Sequence, residues 1–139
     1  MVFRVGLQNE MQWRVKAEHL ASALGSGLVD VLATPVLVGF CEECARLTVD
    51  PLLPAQQKTV GTHIDLRHLA ATPQGLKVNV RAKLIGINDK RLQFDIEAWD
   101  EVEKICEASH ERHIIDSERF ARRIAVKKPA PSQTRAKGE

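Results

Sequence analysis

The apolar positions of this chain keep two rhythms. Leu76, Val78, Val80, Ala82 and Leu84 alternate with Lys77, Asn79, Arg81 and Lys83, and Leu92, Phe94, Ile96 and Ala98 alternate with Gln93, Asp95 and Glu97. A period of two marks a strand with one buried face, which predicts strands over 76–84 and 91–99. The same reading makes 59–68 a strand with Val60, Thr62, Ile64, Leu66 and His68 on one face, 104–115 a less regular strand, and 11–15 a first short one. Asn88-Asp89-Lys90 and Asp100-Glu101 are short turn signals, so neighbouring strands should pair antiparallel. Thr72-Pro73-Gln74-Gly75 reads as a loop.

Between 29 and 48 the rhythm is different. VDVLATPVLVGFCEECARLT is apolar on nearly every side from Pro35 to Cys41, the pattern of a buried helix. Thr34 suits the N-cap and Pro35 the first helical position. The segment should end near Thr48, ahead of Pro51 and Pro54. A short helix is expected at 17–24, broken by Gly25-Ser26-Gly27, and another from Ser117 through Phe120. The simplest packing is α+β, with a curved antiparallel sheet wrapped around one long central helix. It occupies 1–123 as a single domain and leaves 124–139 as a basic, disordered tail.

Composition narrows the classes. The chain is 44% apolar and 27% charged, ordinary values for a globular domain. Four Phe, two Trp and no Tyr are too few for a stacking surface that binds single-stranded nucleic acid. There is no nucleic-acid-binding motif, and no run reaches the roughly 18 apolar residues of a membrane span. The first residues lack the basic and apolar regions of a signal peptide, and three cysteines are too few for a disulfide framework. The expected location is therefore a reducing cytoplasm. The net charge of +2 is unevenly spread: from Arg119 onward seven Lys/Arg face one Asp/Glu, and before it thirteen face seventeen. Such a tail suits either an anionic partner, whether nucleic acid or cofactor phosphates, or a solvated terminus.

A few residues break their local pattern. Glu42 lies on the most apolar helix, where an unpaired buried carboxylate is costly and is often found at functional sites. An exposed edge beside Glu43 and Arg46 would also explain it. His68 ends an apolar alternation; its titration range suits proton transfer, although a satisfied core or edge histidine is the commoner case. Thr34 is explained by capping, and would act chemically only with a base within reach. Gly61 inside a strand marks either a close approach or a β-bulge. Cys41-Glu-Glu-Cys44 falls inside the helix, and His110-Glu-Arg-His113 falls on a strand that points His110 and Arg112 one way and Glu111 and His113 the other. Neither spacing makes a metal site, so no metal is expected.

Three segments carry a family resemblance: LATPVLVGFCEECARL, VGTHIDLRHLAATPQGLKVNV and SHERHII. They resemble the hotdog-fold acyl-CoA thioesterases, in the branch containing fluoroacetyl-CoA thioesterase, from about residue 5 to 120. The resemblance implies hydrolysis of a short or small acyl-CoA thioester by Thr34, Glu42 and His68, with coenzyme A as part of the substrate and no separate cofactor. Gly61 would match the strand glycine near the thioester and Arg112 the arginine of the H-E-R strand. The resemblance also implies a homodimer with its sites at the subunit interface. A sheet edge left open by one copy points the same way. Pro35 stands where relatives often carry a small residue. The 26–30 loop has no Phe over the pocket, so Leu28 is the nearest apolar candidate for contact with substrate. Two other activities fit the same fold: a module that binds acyl-CoA or a small acid without turnover, and an enoyl-thioester hydratase.

Overall fold

The computed structural model describes residues 4–129. Five strands form one antiparallel sheet: β1 (Gln8–Arg14), β2 (Gln57–His68), β3 (Lys77–Asn88), β4 (Arg91–Trp99) and β5 (Lys104–Asp116), in the order β1-β3-β4-β5-β2. A short helix α1 (Ala21–Leu24) and the long helix α2 (Thr34–Val49) lie between β1 and β2, and α3 (Ser117–Ala125) follows β5. Helix α2 packs on β1, β2, β3 and β4, so the sheet curls around it in a hotdog fold. No helix among the described residues is long and apolar enough to cross a membrane.

The alternation in β3 and β4 does what it predicts. Val78, Val80, Ala82 and Leu84, with Leu92, Phe94, Ile96 and Ala98, are buried against Leu37, Phe40, Cys41, Cys44 and Ala45 of α2. Trp13 stacks on Phe40 at 4.4 Å between centroids. Strand β1 begins three residues earlier than its apolar positions suggest, because Gln8, Asn9 and Glu10 pair with Lys83, Ala82 and Arg81 through their backbones. The helix expected at 17–24 is instead a 3₁₀ turn (Ala17–His19) and the one-turn α1, separated by Leu20, which bridges to Leu32.

Two expectations need correction. Helix α2 is not covered all round: Leu37, Phe40, Cys41, Cys44 and Ala45 are buried, but Pro35, Gly39, Glu43 and Arg46 form an open stripe. Nor is β2 a regular strand. A bulge between Gly61 and His63 breaks its pairing with β5. Thr59 is buried and Gly61 faces α2 on one side of the bulge, while Ile64, Leu66 and His68 are the half-buried positions on the other. Val60 and Thr62 therefore do not share the face of His68. The Thr62 hydroxyl instead donates to Glu111 on the outer side. The tail expected from 124 begins within α3, which runs on to Ala125, and 130–139 lie outside the described residues.

Candidate active site

Thr34 is the first residue of α2, and its N-cap is Ala33, which makes no side-chain cap bond. The capping role expected of Thr34 is thus unfilled, and its hydroxyl is available for another partner. That partner is His68 at the end of β2: Thr34 Oγ1 lies 2.8 Å from His68 Nδ1. The loop after β2 is tied to the sheet by the Leu69 N–H, which donates to the Ile105 carbonyl. The loop before α2 is tied to the chain after β2 by the Leu32 N–H, which donates to the Thr72 carbonyl. These two ties hold Thr34 and His68 together.

His68 is half-buried, and burial pulls its pKa below the usual value, which favours the neutral imidazole. Its other nitrogen, Nε2, is buried without a hydrogen-bond partner among the described residues. Thr34 and His68 sit in an open cavity of about 440 Å³ walled by Val29, Val31, Leu32, Leu69 and Ala70. Leu28, on the adjoining loop, is 98% exposed.

Glu42 is elsewhere. It stands eight residues along α2 from Thr34, about 12 Å along the axis, and faces Gly61. A Cβ on Gly61 would lie 2.7 Å from Glu42 Oε2, 3.2 Å from His110 Cε1 and 3.3 Å from Arg112 Nη1. The missing side chain is therefore what leaves room for a carboxylate, an imidazole and a guanidinium to converge. Glu42 is half-buried and makes no hydrogen bond or ion pair among the described residues.

The other two groups are held firmly. His110 Nδ1 lies 2.7 Å from the His63 carbonyl, which can only accept, so Nδ1 carries the proton and Nε2 accepts from Arg112 Nη1 at 3.2 Å. Burial, with some help from the Arg112 charge, pushes the His110 pKa down and keeps this tautomer neutral. Arg112 is buried, donates through Nε to Thr59 Oγ1 at 2.9 Å and through Nη2 to the Thr59 carbonyl at 3.1 Å. Thr59 in turn donates to Asp50 at 2.5 Å.

The expected site residues thus form two groups: Thr34 and His68 at one end of β2, and Glu42, Gly61 and Arg112 toward the other. Gly61 and His68 are seven residues apart along the strand, roughly 20 Å. Thr59 and Asp50 were not singled out from the sequence, and His110 was weighed there only as a metal ligand. The sequence did place His110 on the face of Arg112, and the structure bears that placement out. Among the described residues no cluster of three or more His, Cys, Asp or Glu could hold a metal. Cys44 turns toward the carbonyls of Asn9 and Val80, and Cys41 toward Cys106.

The family model described as fluoroacetyl-CoA-specific thioesterase matches residues 15–118. The fluoroacetyl-CoA thioesterase of Streptantibioticus cattleyicolor is 37% identical over 101 residues, 73% of each chain. A solved structure of the fluoroacetyl-CoA thioesterase FlK superposes with a TM-score of 0.86 at 32% identity, covering 91% of this chain and 98% of that one. A Thermus thermophilus member of the thioesterase superfamily gives 0.80 at 25% identity, over 89% of this chain and 94% of its own. The fold, the span of the family match and the identity to these relatives agree that this chain belongs to the hotdog-fold thioesterase family described as fluoroacetyl-CoA-specific.

Proposed function

We propose that the protein hydrolyses a short or small acyl-CoA thioester to the free acid and coenzyme A, at a site completed across a homodimer. The observation that carries this reading is the Thr34–His68 pair together with the orphaned His68 Nε2. If Nδ1 is to accept a proton from the Thr34 side, the ring proton must sit on Nε2, where it needs an acceptor. Glu42 of the same subunit is out of reach. Strand β2 is a free sheet edge carrying one half of the site at each end. Two β2 strands paired antiparallel across a two-fold axis bring each end beside the opposite end of the other. Glu42 of the partner subunit then orients His68, and Gly61 and Arg112 of the partner subunit face the thioester.

His68 acts as general base. Thr34 positions the attacking water, or attacks through its own oxygen, and the proton passes to His68 Nδ1. Oxygen adds to the thioester carbonyl, and a backbone N–H at Gly61 supports the developing oxyanion. Collapse breaks the C–S bond, and the departing thiolate takes the proton from His68; where Thr34 itself has attacked, a water that gives its proton to His68 then adds to the acyl-Thr34 ester, releasing the free acid and restoring the hydroxyl. The narrow space over Gly61 favours a small acyl group, and Leu28 and Val29 line its approach.

The reading is tested with a panel of acyl-CoAs, following thiol release, and by complementation. His68→Ala and Glu42→Gln should each be nearly inactive. Mixed and re-equilibrated, they should recover about a quarter of wild-type activity, because half the dimers are mixed and one of the two sites in each is intact. No recovery would place the whole site within one subunit. Acyl-CoA binding without thiol release would make the protein a binding module.

A further inference from the structure

We propose that Arg119, Arg122 and Arg123 of α3 form a subsite for the phosphate groups of coenzyme A; this deepens the thioesterase reading and rests on it for the identity of the ligand. Helix α3 is seated, not trailing. The Asp116 carboxylate accepts from the Arg119 amide at 3.0 Å, and the Ser117 amide and hydroxyl donate to the Gln56 carbonyl at 2.9 and 3.1 Å. The first bond caps the helix, and the two from Ser117 tie its start to the residue before β2, at the end of the β2–β5 ladder.

Seated there, α3 buries nothing. None of its residues is buried, and Phe120 and Ile124 remain 37% and 52% exposed. Arg119, Arg122 and Arg123 stand at i, i+3 and i+4 and so share one helix face. None of the three guanidinium groups makes a hydrogen bond or ion pair among the described residues. The nearby acids are Asp116, engaged with the Arg119 amide, and Glu118, and Lys127 and Lys128 follow. Three like charges on one face repel each other, and a polyanion removes that cost while supplying oxygens that match the planar guanidinium fork.

The spacing selects the polyanion. Gly61 pairs with Arg112 and Gln57 with Asp116, so α3, which starts at Ser117, begins five residues beyond the Gly61 cradle, about 17 Å along the ladder. About thirteen bonds separate the sulfur of coenzyme A from its first phosphorus, an extended reach of about 16 Å. A thioester over Gly61 therefore delivers its pyrophosphate to the first turns of α3. An anionic membrane would need a wider apolar face than Phe120 and Ile124 provide.

The test uses the full chain with Arg119, Arg122 and Arg123 all changed to Gln. Because these side chains make no internal bonds, the variant should melt with the wild type, and Arg122→Gln alone serves as a milder second variant. Titration calorimetry with adenosine 3′,5′-bisphosphate should show binding to the wild type, weakened at least about tenfold in the triple variant and less in the single one. KM for an acyl-CoA should rise by a similar factor with kcat unchanged, while KM for the N-acetylcysteamine thioester of the same acid, which has no phosphate, should not move. Equal binding of the bisphosphate by wild type and variant would overturn the subsite. So would an equal rise in KM for both substrates, or wild-type binding to phosphatidylserine vesicles without binding to the bisphosphate. Absence of thiol release from every thioester would defeat the thioesterase reading instead, and the bisphosphate titration would still decide the subsite.

Discussion

A single methyl group at Gly61 probes the Glu42 cradle directly. Its backbone is ordinary extended strand, so Gly61→Ala strains no dihedral angle and acts through space alone. The three neighbours differ in their freedom to retreat. Glu42, at 2.7 Å from the new Cβ, has no bond to hold it and can swing away. His110 and Arg112, at 3.2 and 3.3 Å, are fixed by His63 and Thr59 and must give by a few tenths of an ångström. Overpacking of this kind costs about 1–3 kcal/mol, and losing a glycine from the unfolded chain returns about 0.4–1 kcal/mol. The net loss of about 1–2 kcal/mol should lower Tm by roughly 3–10 °C. Catalysis should suffer more than stability, because the carboxylate moves by about an ångström, a displacement that can cost about 10²-fold in rate. Thermal melting and thiol-release kinetics on the same preparation separate the two effects. A folded Gly61→Ala variant with wild-type kcat/KM would refute the cradle as part of the site.

Thr34→Ala should lower kcat less than His68→Ala if the threonine positions water, and Thr34→Ser should keep most of the activity. Because Ala33 and not Thr34 is the N-cap, Thr34→Ala should also escape the cost of about 1 kcal/mol for a lost cap, which melting curves will show. In the residual activity of Glu42→Gln the acid limb of the pH–rate profile should move to lower pH, since in the proposed dimer the lost carboxylate is the one that crosses from the partner subunit to support the His68 imidazolium. Burial depresses the folded-state pKa of both His68 and His110, so the unfolded chain takes up protons first as pH falls. Stability should therefore be full above about pH 6.5 and decline below it, read as a falling urea midpoint, and His110→Gln should flatten that decline.

What could be read from the sequence follows from how local each determinant is. Strand β4 was legible from end to end because Leu92, Phe94, Ile96 and Ala98 lie under one helix and their neighbours face outward without interruption. The face of β2 was not, since the extra residue at its bulge is set by pairing with β5, a partner nearly fifty residues away. Helix α2 looked buried on all sides because Pro35 and Val38 count as apolar, yet the sheet covers only part of its surface. Thr34 was misassigned for a local reason: Ser, Thr and Pro at a helix start read alike whether the hydroxyl caps the backbone or reaches another chain segment. Glu42 stood out correctly as a carboxylate on an apolar helix. That it faces Gly61 rather than His68 depended on tertiary placement.

The bulge at Thr62 settles a question of parity. Gly61 and His68 differ by an odd number of positions, so a regular strand would send them to opposite faces, one toward the helix and one outward. The single extra residue makes the count even and lets one strand serve the helix side at both ends. Deleting Thr62 itself would remove the bulge and leave Gly61 and His68 six positions apart, an even count that a regular strand also carries on one face. Deleting a residue from the regular stretch between Ile64 and Arg67 would instead keep the bulge, make the count odd and turn one half of the site inside out, so the length of that stretch should matter more than its residue types.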